Sequence, residues 1–109
     1  MDSTAKIREL NDAFRTAFDG QGHIFVTAGI AALSADEQVE IMRRVHSFVA
    51  FTHDNDPYGE HDFGSFDFAG KTIFWKIDCY DHDLNWGSPD PADPKVTTRV
   101  LTVMLAEEY

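Results

Sequence analysis

Basic residues are scarce in this chain. Nine lysines and arginines stand against nineteen aspartates and glutamates, a net charge of −10 with the histidines neutral. Such a chain repels bare DNA, RNA and anionic lipid and attracts basic protein surfaces, so direct nucleic-acid and membrane partners are not expected. Cysteine is nearly absent as well. Cys79 alone permits no intramolecular disulfide and suits a reducing compartment. No apolar run approaches the roughly 20 residues of a membrane span, and the first ten residues lack the pattern of a secretory signal. A cytoplasmic protein is expected. The nucleotide-binding patterns G-x-x-x-x-G-K-[ST] and G-x-G-x-x-G are missing, as is the G-x-S-x-G context that would activate Ser65 or Ser88. There is no internal repeat and no linker. At 109 residues the chain supports one core, hence a single acidic domain over residues 1–109.

What is present is concentrated in the middle. His53 to Asp93 holds ten acidic residues against Lys71 and Lys76, or −8 of the total −10. The same stretch carries Phe63, Phe66, Phe68, Phe74, Trp75, Tyr80 and Trp86. Disordered acidic tails lack such aromatics, because they cannot bury enough surface to offset chain entropy. The charge therefore belongs on folded structure.

Ile7, Leu10, Phe14 and Phe18 recur at helical spacing, with Ser3 or Thr4 as a cap and Gly20 after the end; a helix is predicted over 4–18. His23 to Thr27 is β-rich and reads as a short strand. Ser34 and Glu37 form a capping box for a second helix fading near Phe51. Its expected buried stripe is Val39, Met42, Val45 and Val49, with Ile41 and Phe48 beside them. His23 and His46 read as edge-of-core histidines. Residues 65–68 and 71–80 alternate around Ala69-Gly70, a hairpin signal. Ile73, Trp75, Ile77 and Cys79 share the face expected against the helices, which makes Cys79 a buried, inert thiol. Asp93-Pro94 reads as the cap and first position of a last helix, with Val96, Val100, Val103 and Met104 at helical spacing. Residues 100–103 are β-branched enough to compete as a strand. The expected class is α+β, a small antiparallel sheet of about three strands with helices packed on one face.

Two acidic loops hold the candidate chemistry. The first, residues 53–62, has two histidines and four carboxylates, the donor types of a divalent-metal site. Its spacing departs from a calcium loop at Tyr58 and Ser65. The alternative is that Asp54, Asn55 and Asp56 bond the backbone and order the loop. The second, Asp81-His82-Asp83-Leu84-Asn85, opens like a cation loop, but Trp86 replaces the turn glycine. His82 reads as solvated. Trp86 either plugs the core or is presented to a partner.

Several strings resemble the bacterial domain of unknown function 3768 family. They are T-H-D-N-D-P-Y-G-E-H-D-F-G at 52–64, F-W-K-I-D-C-Y-D-H-D-L-N-W-G-S-P-D-P-A-D-P at 74–94 and T-T-R-V-L-T-V-M-L-A-E-E-Y at 97–109. L-N-D-A-F-R at 10–15 and T-A-G-I-A-A-L at 27–33 match too. The resemblance implies a small protein of plasmids and other mobile DNA, with no established reaction, cofactor or catalytic residue. Cys79 and Trp86 stand where the family is expected to carry Tyr and Phe, which weakens any cysteine nucleophile.

The leading expectation is a non-catalytic acidic binding domain without cofactor or resident metal. Its acidic face would dock on a basic surface of another protein, such as a nuclease or CRISPR effector, by imitating nucleic acid. Anti-restriction and anti-CRISPR inhibitors are of this physical type. Carboxylates on a rigid face can stand in for phosphates and accelerate encounter. The residues assigned to that face are Asp54, Asp56, Glu60, Asp62, Asp81, Asp83 and Asp90, with Tyr58 and Trp86 as aromatic anchors. The competing class is a metal-dependent hydrolase or nuclease using His53, Asp54, Asp56, His61, Asp81 and Asp83. The third is a structural or regulatory partner in plasmid maintenance, with a homodimer as one form.

Overall fold

A computed structural model describes residues 3–18 and 22–109. The elements run α1 (Thr4–Ala17), β1 (Gly22–Val26), α2 (Ala28–Ala31), α3 (Ala35–Ser47), β2 (Phe63–Phe68), β3 (Lys71–Tyr80) and β4 (Thr98–Leu105), closed by a 3-10 turn at Ala106–Glu108. They form one sheet of order β1-β4-β3-β2. β1 runs parallel to β4, and β4, β3 and β2 are antiparallel in turn. The α+β class holds, but the sheet has four strands rather than about three and is mixed rather than antiparallel, because β1 runs parallel to β4.

Local signals built most elements as their chemistry requires. The Ser34 hydroxyl accepts from Glu37 N–H and the Glu37 carboxylate from Ser34 N–H, so the capping box starts α3. Ala69 and Gly70 both have positive φ (50° and 79°), the conformation of a tight two-residue hairpin turn. The end of α1 differs from expectation. Phe18 itself takes the left-handed conformation that closes the helix, while Gly20 lies outside the described residues.

Ile73, Trp75 and Ile77 are buried with Leu101 and Val103 beneath Phe14, Ile30, Ile41, Val45 and Phe48, so one sheet face packs the helices as expected. Cys79, at the end of that row, is half-buried rather than buried, and burial raises its thiol pKa, which disfavours the thiolate.

Three expectations are corrected. The last long element is β4, not a helix. It runs between β1 and β3 and is buried at Thr98, Arg99, Val100, Leu101, Val103 and Met104, and a strand buried along most of its length reads as a continuous run rather than an alternation. Asp93 does bond the backbone two residues on, accepting from Lys95 N–H, but as a turn and not a helix cap. The buried stripe of α3 is Ile41 and Val45, followed by Phe48, whereas Val39 and Val49 are exposed. The helix stops at Ser47 because Phe48 turns extended (ψ 130°), which swings Val49 away from the core. His23 lies exposed on β1, unlike His46, which is half-buried with Nδ1 2.6 Å from the Arg15 carbonyl.

Candidate functional site

β2 begins opposite Lys76, β3 ends opposite Thr98 and β1 begins opposite Arg99. Both acidic loops therefore join the sheet at the same end. The polar residues of α1 fasten them there. Arg8 Nη1 donates to the Gly59 carbonyl (2.9 Å) and Asn11 Nδ2 to the Glu60 carbonyl (3.0 Å). Asn11 Oδ1 in turn accepts from Arg99 Nε (2.7 Å), and Arg99 Nη2 donates to the Pro91 carbonyl (2.8 Å). Asn11 and Arg99 are both buried. One continuous relay thus links the first loop, α1, β4 and the second loop. Burial lowers the Arg99 pKa, yet guanidinium stays protonated throughout ordinary pH.

The first loop has a second anchor. His61 Nδ1 lies 2.9 Å from Asp12 Oδ1, and His61 Nε2 is 3.6 Å from Asp56 Oδ2. Its ring stacks on Phe51 with centroids 3.7 Å apart and planes 3° from parallel. Arg15, also buried, spans from Asp12 to the Val45 carbonyl, its guanidinium lying over the Phe51 and Trp75 rings. His61 holds a positive φ of 55°, which costs energy for a non-glycine residue and is held by these contacts.

Asp54, Asp83 and Asp90 are exposed; Glu60, Asp62 and Asp81 are half-buried. Asp56 is a correction. It is buried, and its Oδ1 accepts from the backbone N–H of Glu60 and His61 (both 3.1 Å). That carboxylate orders the loop instead of facing a partner, as the turn-forming alternative anticipates. Asn55 does the same work, its Oδ1 accepting from Thr52 N–H and its Nδ2 donating to the Ala50 carbonyl. In the second loop Asp81 Oδ1 accepts from Asn85 N–H and Asp90 Oδ1 from Ala92 N–H. His82 is exposed yet engaged, its ring nitrogens bonding Thr98 Oγ1 and the Lys95 carbonyl. Trp86 is 76% exposed and Tyr58 79%, so Trp86 is no core plug.

Asp62 is the electrostatically stressed member. Burial raises its pKa, and the nearby Asp56 and Asp78 carboxylates add to the effect, partly offset by its own backbone N–H and by His61. Of the hydrolase set, His53, Asp56 and His61 share a shallow recess with Phe51 and Thr52, while Asp81 and Asp83 belong to the other loop. Among the described residues no group of three or more His, Cys, Asp or Glu side chains is placed to share a metal ion.

Sequence reasoning missed Asn11, Asp12, Arg15 and Arg99. Arg99 had a signal. It is the one charge in residues 96–105, and a charge in a strand between two others must find internal partners.

A family model described as "Protein of unknown function (DUF3768)" matches residues 26–108, and the chain belongs to that family. None of the curated proteins and none of the solved structures compared with the chain matches it.

Proposed function

We propose that this member of the DUF3768 family is a non-catalytic binding protein whose two acidic loops dock together on a basic, nucleic-acid-binding surface of another protein. The observation that carries the reading is the Asn11–Arg99 relay, which fixes both loops at one end of the sheet. Asp54, Asp83 and Asp90 supply exposed charge there, and Tyr58 and Trp86 supply exposed aromatic area. Side-chain-to-backbone bonds pre-order the loops, so little conformational entropy is lost on docking. A nuclease or other defence protein of a bacterial host is the class of partner this chemistry fits, with inhibition arising from competition for the nucleic-acid site.

The test is a triple reversal, Asp54→Lys with Asp83→Lys and Asp90→Lys, leaving the structural Asp56 intact. Binding to such a nuclease should weaken steeply with salt in the natural protein, chiefly through slower association. It should vanish in the triple variant, with circular dichroism unchanged and melting lowered only slightly by loss of the Asp90–Ala92 turn bond. Trp86→Ala should raise the dissociation rate without lowering the melting temperature. Unchanged affinity in the triple variant would rule out the acidic loops as the docking site.

A further inference from the structure

Ile24, Phe25 and Val26 are 38%, 54% and 39% exposed, and they are consecutive residues of β1. No other consecutive run of exposed large hydrophobics occurs among the described residues; Tyr58, Leu84 and Trp86 belong to the acidic loops. β1 is also an edge strand, paired only with β4 among the described residues. Monomeric proteins protect such edges with charge, proline, bulges or a covering element. The segment Gly22-His23-Ile24-Phe25-Val26 has no charged residue other than a titratable histidine, and no proline. The opposite edge, β2, carries Asp67.

The backbone fixes which groups face outward. Thr27 N–H donates to the Val103 carbonyl (3.1 Å), so Thr27 turns toward β4. In a parallel ladder both main-chain groups of a residue point the same way, and the direction alternates along the strand. His23 and Phe25 therefore also face β4. Gly22, Ile24 and Val26 turn their N–H and C=O groups to the open edge.

The geometry points to this edge as a homodimer interface, at which a second copy adds its own β1 antiparallel and centred on Ile24. In that register Ile24 faces the second copy's Ile24, and Gly22 faces the second copy's Val26. Three outward residues per copy then exchange every outward N–H and C=O, leaving none unpaired. His23 faces the second copy's Phe25 on the open side of the sheet, a cross-strand aromatic pair formed twice. The two-fold axis stands perpendicular to the sheet, so the helices of both copies share one face. It also sends the acidic ends of the two copies in opposite directions. Strongly negative loops thus stay apart, and no Asp or Glu of β1 enters the contact.

Sedimentation equilibrium on the full chain should show a concentration-dependent dimer, since one strand edge buries less than a standard interface. Ile24→Pro deletes only an outward N–H and spares the ladder to β4; it should be monomeric with an unchanged circular dichroism spectrum. Ile24→Cys in a Cys79→Ala background should oxidise to a disulfide-linked dimer. A directly opposed hydrogen-bonded pair sits about 5.5 Å apart between Cα atoms, within disulfide reach. Phe25→Cys in the same background should not link, because its own counterpart lies one register step beyond that reach. A monomer at every concentration, a folded Ile24→Pro variant that still dimerises, or equal linkage through positions 24 and 25 would each overturn the assignment. If Ile24→Pro unfolds, the two cysteine variants decide alone.

Discussion

Removing the Asn11 side chain should cost more stability than its small polar size suggests. Asn11→Ala deletes the acceptor of Arg99 Nε and the donor to the Glu60 carbonyl. A hydrogen bond to a charged group is worth about 1.5–3 kcal/mol and a neutral one about 0.5–1.5 kcal/mol. Asn11 and Arg99 are nearly inaccessible, so water does not readily replace the lost partner. We expect a loss of about 3 kcal/mol, read as a lower urea midpoint at unchanged slope. For a domain of this size that corresponds to roughly 10–20 °C in melting temperature. Arg99→Met should cost a similar amount while keeping an apolar stem in place. The double variant should lose less than the sum by about 1–3 kcal/mol, as coupled neighbours do. Amide exchange should rise in both acidic loops after the single change in α1. A loss under about 1 kcal/mol, or faster exchange in one loop only, would refute the relay.

Two further outcomes follow from the core and from the acidic end. A Cβ added at Gly64 would collide with Trp75 Nε1, a buried N–H without a hydrogen-bond partner. Gly64→Ala should therefore destabilise by about 1–3 kcal/mol through overpacking, measured by denaturant midpoint; a neutral result would show that Trp75 moves aside. Asp62, whose folded pKa is raised, binds its proton more tightly when folded. Its stabilising contribution is therefore full below the unfolded pKa and is lost as pH rises through the folded one. Asp62→Asn should be more stable than the natural protein at pH 7, by no more than about 1 kcal/mol given solvent screening. The advantage should vanish as pH falls below the ordinary aspartate range. An advantage that grows on acidification would contradict the assignment.

The elements legible in the sequence are those specified by neighbours along the chain. The Ser34–Glu37 box, the Ala69-Gly70 turn and the alternation of Lys71 to Tyr80 each act within a few residues. β4 was illegible because its identity is tertiary. Val96, Val100, Val103 and Met104 fit a helix by spacing, and only the presence of β1 and β3 on either side makes a strand of them. The acidic loops were legible in composition but not in orientation. Asp54 and Asp56 are the same residue two positions apart, yet one is exposed and the other buried. What separates them is the His61 anchor, which depends on Asp12 from a helix over forty residues away.

The placement of the basic residues bears on the acidic face as much as the carboxylates do. Arg15 and Arg99 are internal: Arg15 donates to the Val45 carbonyl in the last turn of α3 and to Asp12, and Arg99 donates to Asn11 and to the Pro91 carbonyl ahead of β4. Arg43 and Arg44 are bound to Glu40, whose pKa they hold down to about 2, and Lys76 to Asp78. These five cations are engaged away from Asp54, Asp83 and Asp90, whereas Lys95 stands exposed at the end of the second loop. The carboxylates divide the same way. Asp56, Asp81 and Asp12 shape the loops, exposed Asp90 does so as well by accepting from Ala92 N–H, and Asp54 and Asp83 carry charge on the shape so made. A change in the first group should alter geometry at nearly constant charge, and a change in the second should alter charge at constant geometry. A docking surface that imitates a nucleic acid requires both, because phosphate recognition depends on spacing as well as on sign.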